Sequence, residues 1–341
     1  MTGEAGEYRS ALGSGVDAIE DGEGGEDDLA GDGAGESPGV EGPVDLIVPA
    51  VQHGWRLDRL LAATIVRHSR SHLQSLVEAG AVTIDGTPAL QPSRKVSLRQ
   101  RIRVELSLPL SQRPFEPEAM GMDIRYQDSH LYVLCKPAGL VVHPAAGHWS
   151  GTLLNGLLGM DPALALLPRA GIVHRLDKDT SGLLVVARSM LAMTGLVRAL
   201  AAHDVRRVYR AVAQGVVPDR MTRVELPIGR DPRSRTRMAV IESGKPARTD
   251  IDRLATDGSF SCLECRLHTG RTHQIRVHLA HSGYPLVGDV LYGGAAELGM
   301  SRQALHAQCL EFAHPVGGQT IRVEADAPPD FESAWRAVAP E

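Results

Sequence analysis

Residues 171–187 read Gly-Ile-Val-His-Arg-Leu-Asp-Lys-Asp-Thr-Ser-Gly-Leu-Leu-Val-Val-Ala. An apolar triplet, Gly171–Val173, and an apolar run, Leu183–Ala187, enclose a stretch dense in ionisable side chains. The apolar ends must be buried, the second reading as a strand, while the charged middle turns at the edge of that buried structure. Asp, Thr, Ser and Gly favour turns through local hydrogen bonds and conformational freedom, so a charged turn explains much of the segment. It does not explain why Asp177 stands between Arg175 and Lys178, an order suited to a carboxylate held ionised by nearby cations. Two readings stay open at this point, a charged turn and an ionised nucleophile.

The chain around this segment has 341 residues, enough for two domains, and at 43% hydrophobic it can build a packed core. Four cysteines in such a length do not form a disulfide framework and fit a reducing, cytoplasmic setting. No apolar run approaches the length of a membrane span. The opening residues MTGEAGEYRS carry neither the basic region nor the apolar stretch of a signal peptide. The net charge of −5 hides an asymmetry. Residues 1–45 hold thirteen acids and one base, which leaves +7 for residues 46–341. The larger part of the chain is therefore basic and suited to a polyanion. Residues 1–43 are rich in Gly, Glu and Asp and poor in large apolar side chains, so burial cannot offset their ordering entropy. They read as a disordered acidic, solubilising tail; competition with nucleic acid for the basic surface is the second reading.

Residues 44–108 form a separate block. Val44–Val48 reads apolar, and a helical pattern then puts Leu57, Leu60, Leu61, Thr64 and Ile65 on one side. A second helix starts near Ser69 or Ser71, carries Leu73, Leu76 and Val77, and stops at Gly80. Ala81–Ile84 is a short strand closed by the Asp85-Gly86 turn, and 96–108 adds a strand that includes Ile102–Leu106. Nine Lys or Arg against four acids between 46 and 108 suit a surface that tracks phosphates. The order RLDRLLAA, SRSHLQSLVEAGAVTIDG, SRKVSLRQRIRV resembles the S-four-like RNA-binding domain. The resemblance makes this a small α/β RNA-binding domain, with Arg56, Arg59, Arg70, Arg94 and Lys95 as its RNA contacts.

The prolines at 109, 114 and 117 mark a linker over 109–120, and 121–341 is the larger domain. Strand-like runs at 131–134, 183–187, 209–213 and 261–267 mix with helical ones at 152–158, 190–202 and 272–282. They follow no regular βαβ rhythm, so the class is α+β.

Four stretches of this domain set polar residues beside Gly and Pro: LCKPAGLVVHP, GIVHRLDKDTSGLLVVA, RRVYRAVAQG and LHTGRTHQIRVHLAHSGYPLVGDVLYG. Together they resemble the RluA-type pseudouridine synthases, nearest the RluD-like branch with its N-terminal S-four-like domain. The resemblance implies a pseudouridine synthase fold with a mixed, largely antiparallel sheet. It implies isomerisation of uridine in RNA, with large-subunit ribosomal RNA or a ribosome precursor as partner. Such a reaction breaks the bond from N1 to C1′ and rejoins the sugar to C5. No hydride, phosphoryl group or oxygen moves, so no cofactor is needed.

The resemblance also assigns residues. Asp177 stands at the position of the catalytic aspartate, and Arg276 at that of the basic residue that pairs with it. A carboxylate can act covalently. At the edge of buried structure it needs a cation to stay charged. Thr272 reads as the N-cap of the helix that carries Arg276, with His273 and Ala280 on the same face. Tyr209 is set against the target base. Arg175 suits the role of filling the stack from which the base is flipped, since a planar guanidinium stacks and hydrogen-bonds; a phosphate contact is the other reading. His174, Arg271 and Lys136 join Arg175 as RNA contacts. Lys136-Pro137-Ala138-Gly139 also resembles the first family motif, which shapes the pocket floor, and Gly288-Asp289 reads as the cap of a turn near the site.

Rival sites are weaker. Cys262 and Cys265 form C-x-x-C, but strand side chains three apart point to opposite faces. His273, His278 and His281 lack the HExxH pattern; a spacing of five parts His273 from His278, and His278 and His281, which can share a face, lack a third ligand. No metal is expected, and the expected form is a monomer away from membranes. Three other functions stay open: a catalytically inactive RNA-binding or assembly factor, a synthase acting on transfer RNA, and a hydrolase that cleaves the same bond. The hydrolase would need a second carboxylate as acid, and Asp179 is the nearest.

Overall fold

The computed structural model describes residues 42–66, 68–107, 115–145, 148–234 and 236–339. The acidic stretch up to residue 41 and residues 109–114 of the expected linker lie outside them. The described residues form two compact units, 42–107 and 115–339.

In the first unit β1 (Gly42–Ile47) precedes helices α1 (Leu57–Thr64) and α2 (Arg70–Glu78), followed by β2 (Val82–Ile84), β3 (Thr87–Pro88) and β4 (Arg101–Leu106). β1 begins two residues inside the stretch read as tail. The apolar reading of Val44–Val48 becomes an edge strand, because β1 pairs antiparallel with β4 in a four-stranded sheet ordered β1-β4-β2-β3. β4 alternates strictly: Ile102, Val104 and Leu106 are buried and Arg101, Arg103 and Glu105 exposed, as a sheet with one wet face requires. Leu57, Leu60 and Leu61 of α1 pack with Leu73, Leu76 and Val77 of α2 on the buried face. Thr64 departs from the expected stripe. It ends α1 exposed, and its hydroxyl donates to the Leu60 carbonyl. Ser69 caps α2, its side chain accepting the His72 amide. Asp85 and Gly86 both adopt positive φ, which the tight β2–β3 turn demands.

The second unit is built on a nine-stranded mixed sheet. Its strands are β5 (Ile124–Gln127), β6 (Leu131–Lys136), β7 (Ser181–Ala187), β8 (Arg206–Gln214), β9 (Arg223–Glu225), β12 (Arg248–Thr256), β13 (Phe260–Leu267), β14 (Leu305–Ala313) and β15 (Thr320–Glu324). A separate hairpin, β10 (Ile228–Arg230) and β11 (Met238–Val240), stands apart from it. The order is β5-β6-β7-β14-β8-β13-β12-β9, with β15 also on β14. Only the β7–β14 pairing is parallel; the other pairings are antiparallel. Among the described residues four α-helices complete the unit: α3 (Leu153–Met160), α4 (Met190–Ala201), α5 (Gln274–His281) and α6 (Pro329–Val338). The stretch read as linker reaches into this unit, since Asn155 of α3 hydrogen-bonds the Glu116 carbonyl and the Glu118 amide.

β7 explains the unbroken apolar run at 183–187. Leu183, Val185 and Ala187 pack with Ala192 and Leu196 of α4, while Leu184 and Val186 pack with Leu153 and Leu157 of α3. A strand covered on both faces has no polar side to alternate with. Full burial of each such side chain stabilises the fold by about 1.5–3 kcal/mol. β8 likewise serves two layers. Tyr209, Ala211 and Ala213 face α5, and Val212 faces α6. Among the described residues no helix is long and apolar enough to cross a membrane.

Candidate active site

The turn that opened the sequence reading leads into β7 and is held mainly through its main chain. The Lys136 ammonium, 1% exposed, donates to the carbonyls of Pro137, Leu140 and Lys178, and the Gly139 amide also reaches Lys178 O. Arg302 Nη1 donates to the Asp179 carbonyl, and Gln303 donates to the Thr180 hydroxyl. At the end of the turn Gly182 has φ +114°, and an added Cβ would meet the Ala307 carbonyl oxygen at 2.2 Å. Only glycine lets β14 run parallel this close to β7.

Asp177 projects from this frame toward α5. Arg276 Nη1 donates to its Oδ2 at 3.0 Å. The other edge of the same guanidinium is clamped by Asp289, with Nε to Oδ2 at 2.7 Å and Nη2 to Oδ1 at 2.9 Å. Arg276 and Asp289 are both buried, and the Tyr292 ring lies 5.0 Å from the Arg276 Cζ. Burial pushes the Asp177 carboxyl up, but His273, Arg276 and Arg175 together hold it below the usual carboxylate range. Arg276 is raised further by its two carboxylates despite burial. A carboxylate that stays ionised in a dry setting is the state required of a nucleophile or base.

Tyr209 shares one apolar cluster with Leu176, the neighbour of Asp177, and with Ile275 and Leu279 of α5. Burial pushes its phenol up to about 12, so it remains a protonated donor. Arg175 is half-buried, and its charge is felt by Asp177. The carboxylate of Asp179 makes no hydrogen bond to Arg276 among the described residues; its carbonyl is what the fold uses.

Known proteins resemble this chain over most of its length. Residues 130–281 match the RNA pseudouridylate synthase family, and residues 55–102 match the S4 domain. A protein of Neisseria meningitidis serogroup A called ribosomal large subunit pseudouridine synthase D is 47% identical over 305 residues, covering 86% of this chain and 81% of its own length. Its namesake in Xanthomonas campestris pv. campestris is 45% identical, over 86% of this chain and 91% of its own. The chain belongs to the RNA pseudouridylate synthase family. A solved structure, human RNA pseudouridylate synthase domain containing 1, is similar at a TM-score of 0.51 and 27% identity, over 64% of this chain and 90% of that one.

In this pseudouridine synthase several expected site residues stand elsewhere than the sequence suggested. Lys136 is buried and gives its ammonium hydrogens to three carbonyls, which fits a structural part better than a phosphate contact. His174 Nε2 accepts the Val185 amide, and burial beside Arg207 drives the ring down to about 3. It is a neutral brace for β7, with no charge to offer a phosphate. Thr272 does not cap α5. The cap is His273, in the left-handed conformation at φ 56° with no side-chain cap bond, so His273 leaves the helix face it was expected to share with Arg276. Arg271 is half-buried and donates Nε to the Pro246 carbonyl.

Three residues of the constellation escaped the sequence reading. Asp289 was read as a turn cap and is the bidentate partner of Arg276. The available signal was the burial of Arg276 between Ile275 and Val277, since a buried guanidinium needs more than one acceptor. His273 and Tyr292 carry no sequence signal beyond the motif that contains them. The rival metal sites come apart: Cys262 packs with Phe331 of α6 and Cys265 on the opposite face with Tyr209. His278 is buried between Thr249 and the Leu226 carbonyl, whereas His281 is exposed.

In the S4 unit Arg56, Arg59, Arg70, Arg94 and Lys95 are all exposed. Asp58, wholly buried, holds two of them, with Arg56 Nε at 3.1 Å from Oδ1 and Arg70 Nη2 at 2.8 Å from Oδ2, and accepts Gln74 as well. Arg59 lies 4.2 Å over the Trp55 ring.

Proposed function

We propose that this enzyme isomerises uridines of large-subunit ribosomal RNA, free or in a ribosome precursor, as a cytoplasmic monomer. In this reading residues 44–108 grip the RNA and 121–341 carry out the chemistry, joined by 109–120. The names of its relatives support the substrate. The S4 match and the row of exposed cations on that unit support RNA as the partner.

One observation carries the catalytic part. The turn holds two aspartates, and only Asp177 is joined to a buried arginine that a second carboxylate fixes from behind. Asp177 acts on the flipped uridine as nucleophile or base. The bond between N1 and C1′ breaks, C5 is joined to C1′, and the proton lost from C5 is balanced by one gained at N1. Arg276 keeps Asp177 ionised. Tyr209 lies against the base, and Arg175 fills the vacated stack. Arg271 and the S4 residues Arg56, Arg59, Arg70, Arg94 and Lys95 hold the strand.

The test maps pseudouridine at nucleotide resolution in ribosomal and transfer RNA from cells with the wild type, with Asp177→Asn, and with the gene deleted. Loss of sites in large-subunit ribosomal RNA is expected in the last two. Loss confined to transfer RNA would overturn the substrate, and no loss on deletion would overturn the enzyme reading. Full activity of Asp177→Asn would remove Asp177 from its role.

A further inference from the structure

The short 3₁₀ turn Val290–Tyr292 puts one phenol at a junction. Tyr292 Oη receives the Met238 amide N–H of β11 at 2.9 Å and lies 2.7 Å from His273 Nδ1. The phenol oxygen takes the amide N–H and either receives Nδ1–H from a protonated ring or gives its own hydrogen to Nδ1 of a neutral one, and beside a carboxylate both arrangements put a hydrogen on Nε2. That nitrogen is 3.9 Å from Asp177 Oδ1, the oxygen that Arg276 does not hold. His273 is buried, and its left-handed backbone turns the ring out of the helix line toward Tyr292, which it meets edge-on at 5.6 Å.

We infer that His273 is a positioning residue for Asp177: Tyr292 occupies its Nδ1 so that Nε2–H addresses Oδ1, while Arg276 addresses Oδ2. This rests on Asp177 being the acting carboxylate. Arg276 hydrogen-bonds Oδ2, and the ring at 3.9 Å from Oδ1 favours that orientation of the carboxylate electrostatically. The relay is also fastened to the β10–β11 hairpin, because Met238 opens β11. Arg230 ends β10, the loop after it holds Arg233 and Arg237, and Arg237 lies 5.4 Å from the Tyr292 ring. A polyanionic strand that seats this hairpin therefore also seats Tyr292, and through it His273.

The substitutions that test this differ in which nitrogen they replace. His273→Asn tolerates the left-handed backbone and can still bond Tyr292, but has nothing in the place of Nε2. His273→Gln reaches as far as Nε2 with an N–H donor. Tyr292→Phe keeps the ring over Arg276 and removes the hydroxyl. With unmodified large-subunit ribosomal RNA made by transcription, single-turnover rates are expected to fall ten-fold or more for His273→Asn. Losses of three- to ten-fold are expected for Tyr292→Phe, with RNA Kd and Tm unchanged in both. His273→Gln should recover part of the rate. The Asn/Phe double variant should be no slower than His273→Asn alone, because Tyr292 acts through His273. A His273→Asn enzyme within two-fold of the wild-type rate, or losses that simply add, would overturn the inference. If Asp177→Asn keeps its activity in the same assay, the reading of Asp177 fails instead, and the two failures are told apart.

Discussion

Arg276 Nη1 donates to Asp177 Oδ2 at 3.0 Å although 99 residues separate the two in sequence. The bond is directional because Asp289 has already taken the Nε and Nη2 edge of the guanidinium, leaving Nη1 for Asp177. Bidentate pairing of this kind adds geometric specificity that a lysine cannot reproduce. The positive charge is thus oriented before any RNA arrives.

Asp289 should therefore matter both to stability and to rate. Asp289→Ala leaves a buried guanidinium with half its acceptors, and breaking such a pair costs about 3–5 kcal/mol. Denaturant unfolding should show that loss. Asp289→Asn, which keeps one acceptor, should fold well enough to assay and turn over more slowly at unchanged RNA Kd. An Asp289→Ala protein with wild-type stability would mean that the pair contributes nothing.

Arg175 has two readings that RNA structure separates. If it fills the stack left by a flipped base, Arg175→Ala should slow turnover on a base-paired stem at least ten-fold and on a short single strand far less. If it only contacts phosphate, both substrates should weaken alike, and the slope of log Kd against log salt should shrink by about one. Stopped-flow fluorescence of a 2-aminopurine beside the target uridine reports the flipping step directly.

Asp58 is the keystone of the basic surface on the S4 unit. Its carboxyl is held far below the usual range, chiefly by the Arg56 hydrogen bond, with Arg70 and Gln74 adding to it against the cost of burial. Asp58→Ala frees both arginine heads and removes the acceptor they share with Gln74, and it is expected to lower the thermal unfolding midpoint of the unit. Arg56→Ala takes the chief partner from a buried carboxylate, so it should also lower that unfolding midpoint, by less than Asp58→Ala, and it should make the salt dependence of RNA binding shallower by about one.

Asp250 supplies a pH test. The Arg248 hydrogen bond, with His268 in support, lowers its carboxyl from 3.8 to about 2. A depressed carboxyl contributes stability that is complete above its unfolded pKa, near 4, and is lost as pH falls from there toward 2. Asp250→Asn should accordingly be less stable than the wild type at pH 7, with the gap closing between pH 4 and pH 2. Urea midpoints at pH 7 and pH 3 give the measurement, and a gap that stays constant would show that the Arg248 and His268 contacts stabilise nothing.

Much of this protein was legible before the fold was known, and for local reasons. The run Leu183–Ala187, the period of Leu57, Leu60 and Leu61, and the Asp85-Gly86 turn each depend on neighbours in sequence, and each appears as a strand, helix or turn where its residues lie. The long motifs around Asp177 and Arg276 pointed to the family because their order is unusual. Thr64 and Thr272 were misjudged for one shared reason. Periodicity and residue type say what a side chain can do, whereas helix ends and burial decide what it does.

What only tertiary structure decided is the set of partners. Nothing in the thirteen-residue gap between Arg276 and Asp289 marks them as a pair, because no helix or strand period links them; packing of α5 against the turn after Gly288 does. The same holds for Tyr292, which meets the Met238 amide across 54 residues and His273 across 19. The sequence alone determined a charged turn running into an apolar strand, and the order of its motifs pointed to Asp177 within that turn. Which arginine, which second carboxylate and which histidine surround it followed from chain segments brought together by burying apolar surface, a force without direction that leaves polar groups to be satisfied by whatever lies nearest.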